Sequence, residues 1–154
     1  MEDINNIKEM FNSGRLSQLI ATKATILNQH HDNAEVLSIL ASAHSGLGQN
    51  DEALKLLNQI KIDDYQSYFL KGTIYLAQNK LDLAEKNLIM SSQQNIKNYL
   101  IFHNLGLIYQ IKGNNDLAKD NFLKAISISE NIESLSELGK LYLNENNFDE
   151  AEKY

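Results

Sequence analysis

Small and apolar residues recur along this chain at spacings of three and four, and the series restarts at a regular interval. Ala118, Phe122 and Ala125 fall on one face of a helix. Ala84, Leu88 and Ser91 repeat the arrangement, as do Ala53, Leu57 and Ile60. The small residue opening each series stands in a similar quartet: Asp51-Glu52-Ala53-Leu54, Asp82-Leu83-Ala84-Glu85, Asp116-Leu117-Ala118-Lys119 and Asp149-Glu150-Ala151-Glu152. Ser17-Gln18-Leu19-Ile20 is a worn copy. The marked position thus falls at 19, 53, 84, 118 and 151, with gaps of 34, 31, 34 and 33 residues.

Two further ladders share this period. Five residues ahead of each marked position stands Gly14, Gly48, Asn79, Gly113 or Asn146. Glycine and asparagine tolerate the left-handed backbone that ends a helix. Ser17, Asp51, Asp82, Asp116 and Asp149 follow, residue types that cap a new helix or favour its first turn. Ahead of each stop comes a small residue and then a ring three positions on: Ala41 with His44, Gly72 with Tyr75, Gly106 with Tyr109 and Gly139 with Tyr142. The small residue admits a neighbouring helix, and the ring lies on the same face.

Each unit is therefore two short amphipathic helices, A and B, joined by a tight turn. The spacing predicts A 34–47 and B 51–61, A 65–78 and B 81–93, A 99–112 and B 115–129, and A 132–145 with B from 148. A degenerate pair at about 3–12 and 16–29 precedes them. One such pair cannot bury its own apolar faces, so the pairs must stack. The expected fold is all-α: a right-handed α-solenoid of antiparallel helix pairs forming one domain. Its parts are a degenerate pair at 1–33, repeats at 34–64, 65–98 and 99–131, and a truncated repeat at 132–154.

Composition narrows the function. The 154 residues carry a formal charge of −6, with 43% hydrophobic and 22% charged residues. An acidic chain is poorly matched to a phosphate backbone, so no nucleic-acid partner is expected. The absence of cysteine excludes disulfides, thiolate metal sites and cysteine nucleophiles. The start Met1-Glu2-Asp3-Ile4 lacks the basic and apolar regions of a signal peptide. No apolar run approaches a membrane span, and a cytoplasmic location is expected. Proline is absent too, in keeping with a helical chain. The abundance of asparagine, as in Asn114-Asn115 and Asn146-Asn147, reads as compositional bias.

The pattern resembles the tetratricopeptide repeat. The 99–131 copy carries it most fully: Phe102, Leu105, Gly106 and Tyr109 match helix A, and Ala118, Phe122 and Ala125 match helix B. The family's proline at the end of helix B is missing; His31, Ile96 and Glu130 occupy its place. The 34–64 copy is about three residues short, trimmed in helix B or the turn after it.

The resemblance implies a protein-interaction module rather than an enzyme. In this family the A helices line a concave groove that holds a partner's peptide or helix. The groove positions here are Ser38, Ser42, Gln66, Phe69, Thr73, Leu100, His103, Leu107, Gln110, Ser136 and Lys140. Phe69, Leu100 and Leu107 would give an apolar strip or else pack between repeats, with Gln66, Thr73, His103 and Gln110 as hydrogen-bonding groups. One subclass clamps acidic C-terminal tails with lysine, asparagine and arginine. The equivalent slots here hold Ser38, Ser42, Phe69, Thr73, Glu133 and Glu137, with Asn104 a lone match and Arg15 the sole arginine. An acid clamp is therefore not expected.

No catalytic motif, cofactor signature or metal-ligand spacing occurs. His30-His31 reads as a polar loop, His44 as a packed core residue, and the pairs Glu2-Asp3 and Asp63-Asp64 as caps and solvated acids. Helix B of the last repeat has only begun when the sequence ends at Tyr154, which leaves Leu135, Leu138 and Tyr142 without full cover. That suggests two alternatives: an N-terminal docking part of a larger bacterial transferase, or a homo-oligomer formed through the uncovered repeat.

Overall fold

The computed structural model describes residues 3–62, 64–95 and 97–154. Glu2, Asp63 and Ile96, singled out above, lie outside them. Among the described residues there are eleven helices: α1 (Ile4–Asn12), α2 (Leu16–Ala21), α3 (Lys23–His30), α4 (Ala34–Gly46), α5 (Asn50–Leu57), α6 (Tyr65–Ala77), α7 (Leu81–Gln94), α8 (Tyr99–Ile111), α9 (Asn115–Ile128), α10 (Ile132–Asn144) and α11 (Phe148–Ala151). They form antiparallel pairs stacked into a right-handed α-solenoid, each pair packing on the next.

The stop ladder works as the backbone argument requires. Gly14, Gly48, Asn79, Gly113 and Asn146 all have positive φ, between 56° and 76°. Each closes the same pair of bonds. The N–H of Gly113 reaches the carbonyl of Gln110, and that of Asn114 reaches the carbonyl of Tyr109; the other four turns repeat this geometry. These are Schellman caps, which satisfy carbonyls the helix end leaves open.

Of the two roles expected for the start residues, the aspartates take the second. Asp51, Asp82, Asp116 and Asp149 lie in the first turns of their helices, where they oppose the helix dipole. The residue before each helix is the N-cap, and in α9 and α11 it is an asparagine, Asn114 or Asn147, accepting from the N–H of Leu117 or Glu150. Asn33, Asn98 and Asn131 cap α4, α8 and α10 in the same way, and Asp64 with Ser67 forms a capping box on α6. Asparagine is therefore not mere bias. It ends helices at 79 and 146 and begins them at five other places.

Two B helices depart from the predicted spans. The first is broken at Thr22, whose hydroxyl lies 3.2 Å from the carbonyls of both Gln18 and Leu19; such back-bonding bends a helix. The second, α5, ends at Leu57, so the trimming of this repeat falls on helix B itself.

The core runs along the stack in three clusters. The first runs from the N-terminal pair to Ile74 of α6 and includes Ile7, Leu19, Ile26, Leu37, Leu40 and Leu57. The second gathers Ala84, Leu88, Ile101, Leu105 and Ile108. The third is smaller: Ala118, Phe122, Leu138 and Leu141. The helix A glycines set two of the close approaches. A Cβ on Gly106 would lie 2.5 Å from the Phe122 ring, and one on Gly72 would lie 2.7 Å from Leu88 Cγ.

Candidate functional site

Polar rungs join successive repeats, each tying a B helix to the A helix that follows it. At the turn edge, Gln78 donates to Asp51 at 3.1 Å, and Lys112 donates to Asp82 and Glu85, each at 2.6 Å. Lys119 donates to Glu145 at 2.9 Å, so the third rung carries its charges reversed. Tyr109 lends its hydroxyl to Glu85 at 2.8 Å. Burial and that bond push the Tyr109 hydroxyl above its ordinary pKa, while Lys112 holds Glu85 below the usual carboxylate range. His44, at the same register, has no such acid to meet because Ile20 stands there. It is 3% exposed and lies 2.6 Å from Gln49 Oε1 through Nδ1, leaving Nε2 without a partner.

The sequence-derived groove positions divide into closed and open ones. Ser38 is only 4% exposed and has no free surface to offer a partner. α1, α2, α5 and α6 all pack on α4 and cover it. Ser42 is half-buried, its hydroxyl turned onto the Ser38 carbonyl at 2.8 Å. Thr73 is similarly spent on the Leu70 carbonyl at 2.9 Å. Phe69 and Leu107 are half-buried and pack against the second and third core clusters. Gln66, Leu100, Ser136 and Lys140 are exposed.

Between α8 and α10 this surface opens into a cavity of about 500 Å³ lined by His103, Leu107, Ile132, Glu133, Ser136 and Glu137. His103 forms one wall. Its Nδ1 lies 2.9 Å from Ser134 Oγ, and its ring rests on Phe122 with centroids 5.7 Å apart. The backbone N–H of that serine is held by the Asn131 N-cap, so the start of α10 sets the ring's position. Burial keeps the His103 pKa below its ordinary value, although Glu133 and Glu137 pull the other way. Glu137 accepts from Lys140 at 2.7 Å and from Gln110 at 3.3 Å. Lys140 first, and Gln110 after it, hold Glu137 below the usual carboxylate range despite its partial burial. The site can therefore offer two carboxylates, an imidazole and the apolar groups of Leu107 and Ile132.

Of these residues Ile132 is not read from the sequence at all, while Glu133 and Glu137 are read there only as the slots that argue against an acid clamp. Glu133, Glu137 and Lys140 do follow a helical spacing of four and three, a signal that could have placed them on one face. Among the described residues there is no cluster of three or more metal-ligating side chains, and no helix is long and apolar enough to cross a membrane.

The tetratricopeptide repeat family profile matches residues 65–89, 99–132 and 132–154. A TPR repeat-containing protein of Methanocaldococcus jannaschii is 35% identical over 117 residues, which is 73% of this chain and 20% of that protein. The chain thus spans about a fifth of that relative's length. Among solved structures, pilF of Pseudomonas aeruginosa superimposes with a TM-score of 0.88 at 18% identity, covering 98% of this chain and 71% of that one. MamA gives 0.85 at 24% identity over 99% and 90%. YrrB, described as a TPR protein with an unusual peptide-binding site, gives 0.76 at 15% over 96% and 78%. At these identities the structural likenesses show the fold.

Proposed function

Because this chain belongs to the tetratricopeptide repeat family, we propose that it is a protein-interaction module that holds a segment of a partner on the face built by its A helices. The observation that carries this reading is the opening between α8 and α10, where Leu107 and Ile132 stand beside His103, Glu133 and Glu137. A peptide site needs apolar surface rimmed by groups that fix orientation. Leu100 and Gln66 extend the same face along the stack, beside the half-buried Phe69. Peptide binding described for YrrB agrees with this use of the fold. The same face would serve equally where such repeats lie within a longer polypeptide.

The arrangement suits recognition by shape and a few anchors. The cross-repeat bonds His103–Ser134 and Gln110–Glu137 tie α8 to α10 before any partner arrives. A preformed face spends less of its binding energy on ordering. The test is capture from a random peptide library by the wild type and by a Phe69→Ala/His103→Ala variant. The variant is expected to retain fewer sequences. Equal recovery of the same sequences by both would remove the A-helix face as the site.

A further inference from the structure

The cavity between α8 and α10 carries a specificity that the general fold does not dictate, and the inference drawn from it rests on the A-helix reading above. We propose that this cavity selects a partner segment presenting a lysine or arginine, with the methylene stem lying on Leu107 and Ile132 and the cationic head reaching Glu133 and Glu137.

The apolar part comes first. Ile132 opens α10 and is 82% exposed, beside the half-buried Leu107. Water against these two groups is displaced favourably by hydrocarbon. The charged part then decides among side chains. Glu137 is already served by Lys140 and Gln110. Among the described residues no lysine or arginine pairs with Glu133, so its carboxylate stands at the cavity unneutralised. A purely apolar side chain would cover Leu107 and Ile132 but strip water from Glu133 without replacing its bonds, which is costly. An acidic side chain would meet two carboxylates. A long basic side chain answers both halves, since lysine and arginine bury an apolar stem while the charge stays at the rim. The chain's net charge of −6 also favours encounter with a basic segment.

The test uses the full chain, immobilised, against a random library of ten-residue peptides, with the recovered sequences read out. Wild type is expected to enrich lysine or arginine next to an apolar residue by about tenfold, the scale of one well-placed charge pair. Glu133→Gln and Glu133→Gln/Glu137→Gln are expected to bring that enrichment to library background while circular dichroism shows unchanged helix. Glu133→Gln alone changes one exposed residue, so it reports even where the double variant folds poorly. Enrichment of acidic residues, or a basic preference that survives Glu133→Gln, overturns the proposal and leaves the A-helix reading standing. Recovery of no peptide by wild type overturns both.

Discussion

The two ends of the A-helix face are built from equivalent positions yet do opposite things. At α4 the face is a sealed seam: Ser38 is buried, and Ser42 turns its hydroxyl back onto its own helix. At α8 and α10 the corresponding stretch is an open cavity with apolar and acidic walls. The difference follows from neighbours. α1, α2, α5 and α6 pack on α4, whereas α9 and α11 pack on α10. A repeat register names the face of a helix; only the surrounding helices decide whether that face meets water.

The comparison can be strained from both sides. Phe122 is fully buried and carries the His103 ring, so Phe122→Ala should cost about 3–5 kcal/mol. Denaturant unfolding would measure this, and His103 should lose its fixed position together with the cavity wall. Ser38→Leu should cost about 1–3 kcal/mol because the sealed seam has no room for the added methylenes. Ser136→Leu, on the exposed side of the cavity, should stay within about 0.5 kcal/mol. Equal effects of the two serine changes would dissolve the contrast.

The helix A glycines offer a smaller contrast within the same half of the molecule. Gly106→Ala drives a Cβ into the Phe122 ring and should cost about 1–3 kcal/mol. Gly139→Ala meets nothing nearer than 3.7 Å and should instead stabilise by up to about 1 kcal/mol through helix propensity. Thermal melts of the two variants would move in opposite directions.

The smallest effect is pH-dependent. His103 has a folded pKa below its unfolded value because burial opposes the charge. In the window beneath the ordinary imidazole value of about 6.5, the unfolded chain binds the extra proton. Its contribution to stability is therefore lost as pH falls through that window and is constant above it. Glu133 and Glu137 face the ring and soften the loss. Melting temperatures of wild type and His103→Gln should converge toward pH 5, the wild type losing more of its stability.

Much of this architecture is legible in the sequence. The five stop residues were identifiable because few residue types accept positive φ, and all five adopt it. Helix A spans agree closely, since their stop signals are local chemistry. The end of α5 and the break at Thr22 were not legible, because they depend on packing and on one hydroxyl's competition with the backbone. The site was legible in part. Of the groove positions expected from the repeat register, His103, Leu107 and Ser136 line the cavity. Ser38 shares their register, but its burial is a property of the four helices that pack on α4. Ile132 escapes the pattern because it opens α10, where helical periodicity has scarcely begun.

Binding on the A-helix face between α8 and α10 would leave a localised trace on the backbone amides. The most direct measurement is a nuclear magnetic resonance titration of the isotope-labelled chain with a peptide recovered from the library. Amide shifts should concentrate in Leu100–Gln110 and Ile132–Lys140, saturating together, with the exposed Lys86 and Lys124 of the B helices unmoved. Shifts confined to α7 and α9, with His103, Leu107 and Glu133 unchanged, would contradict it.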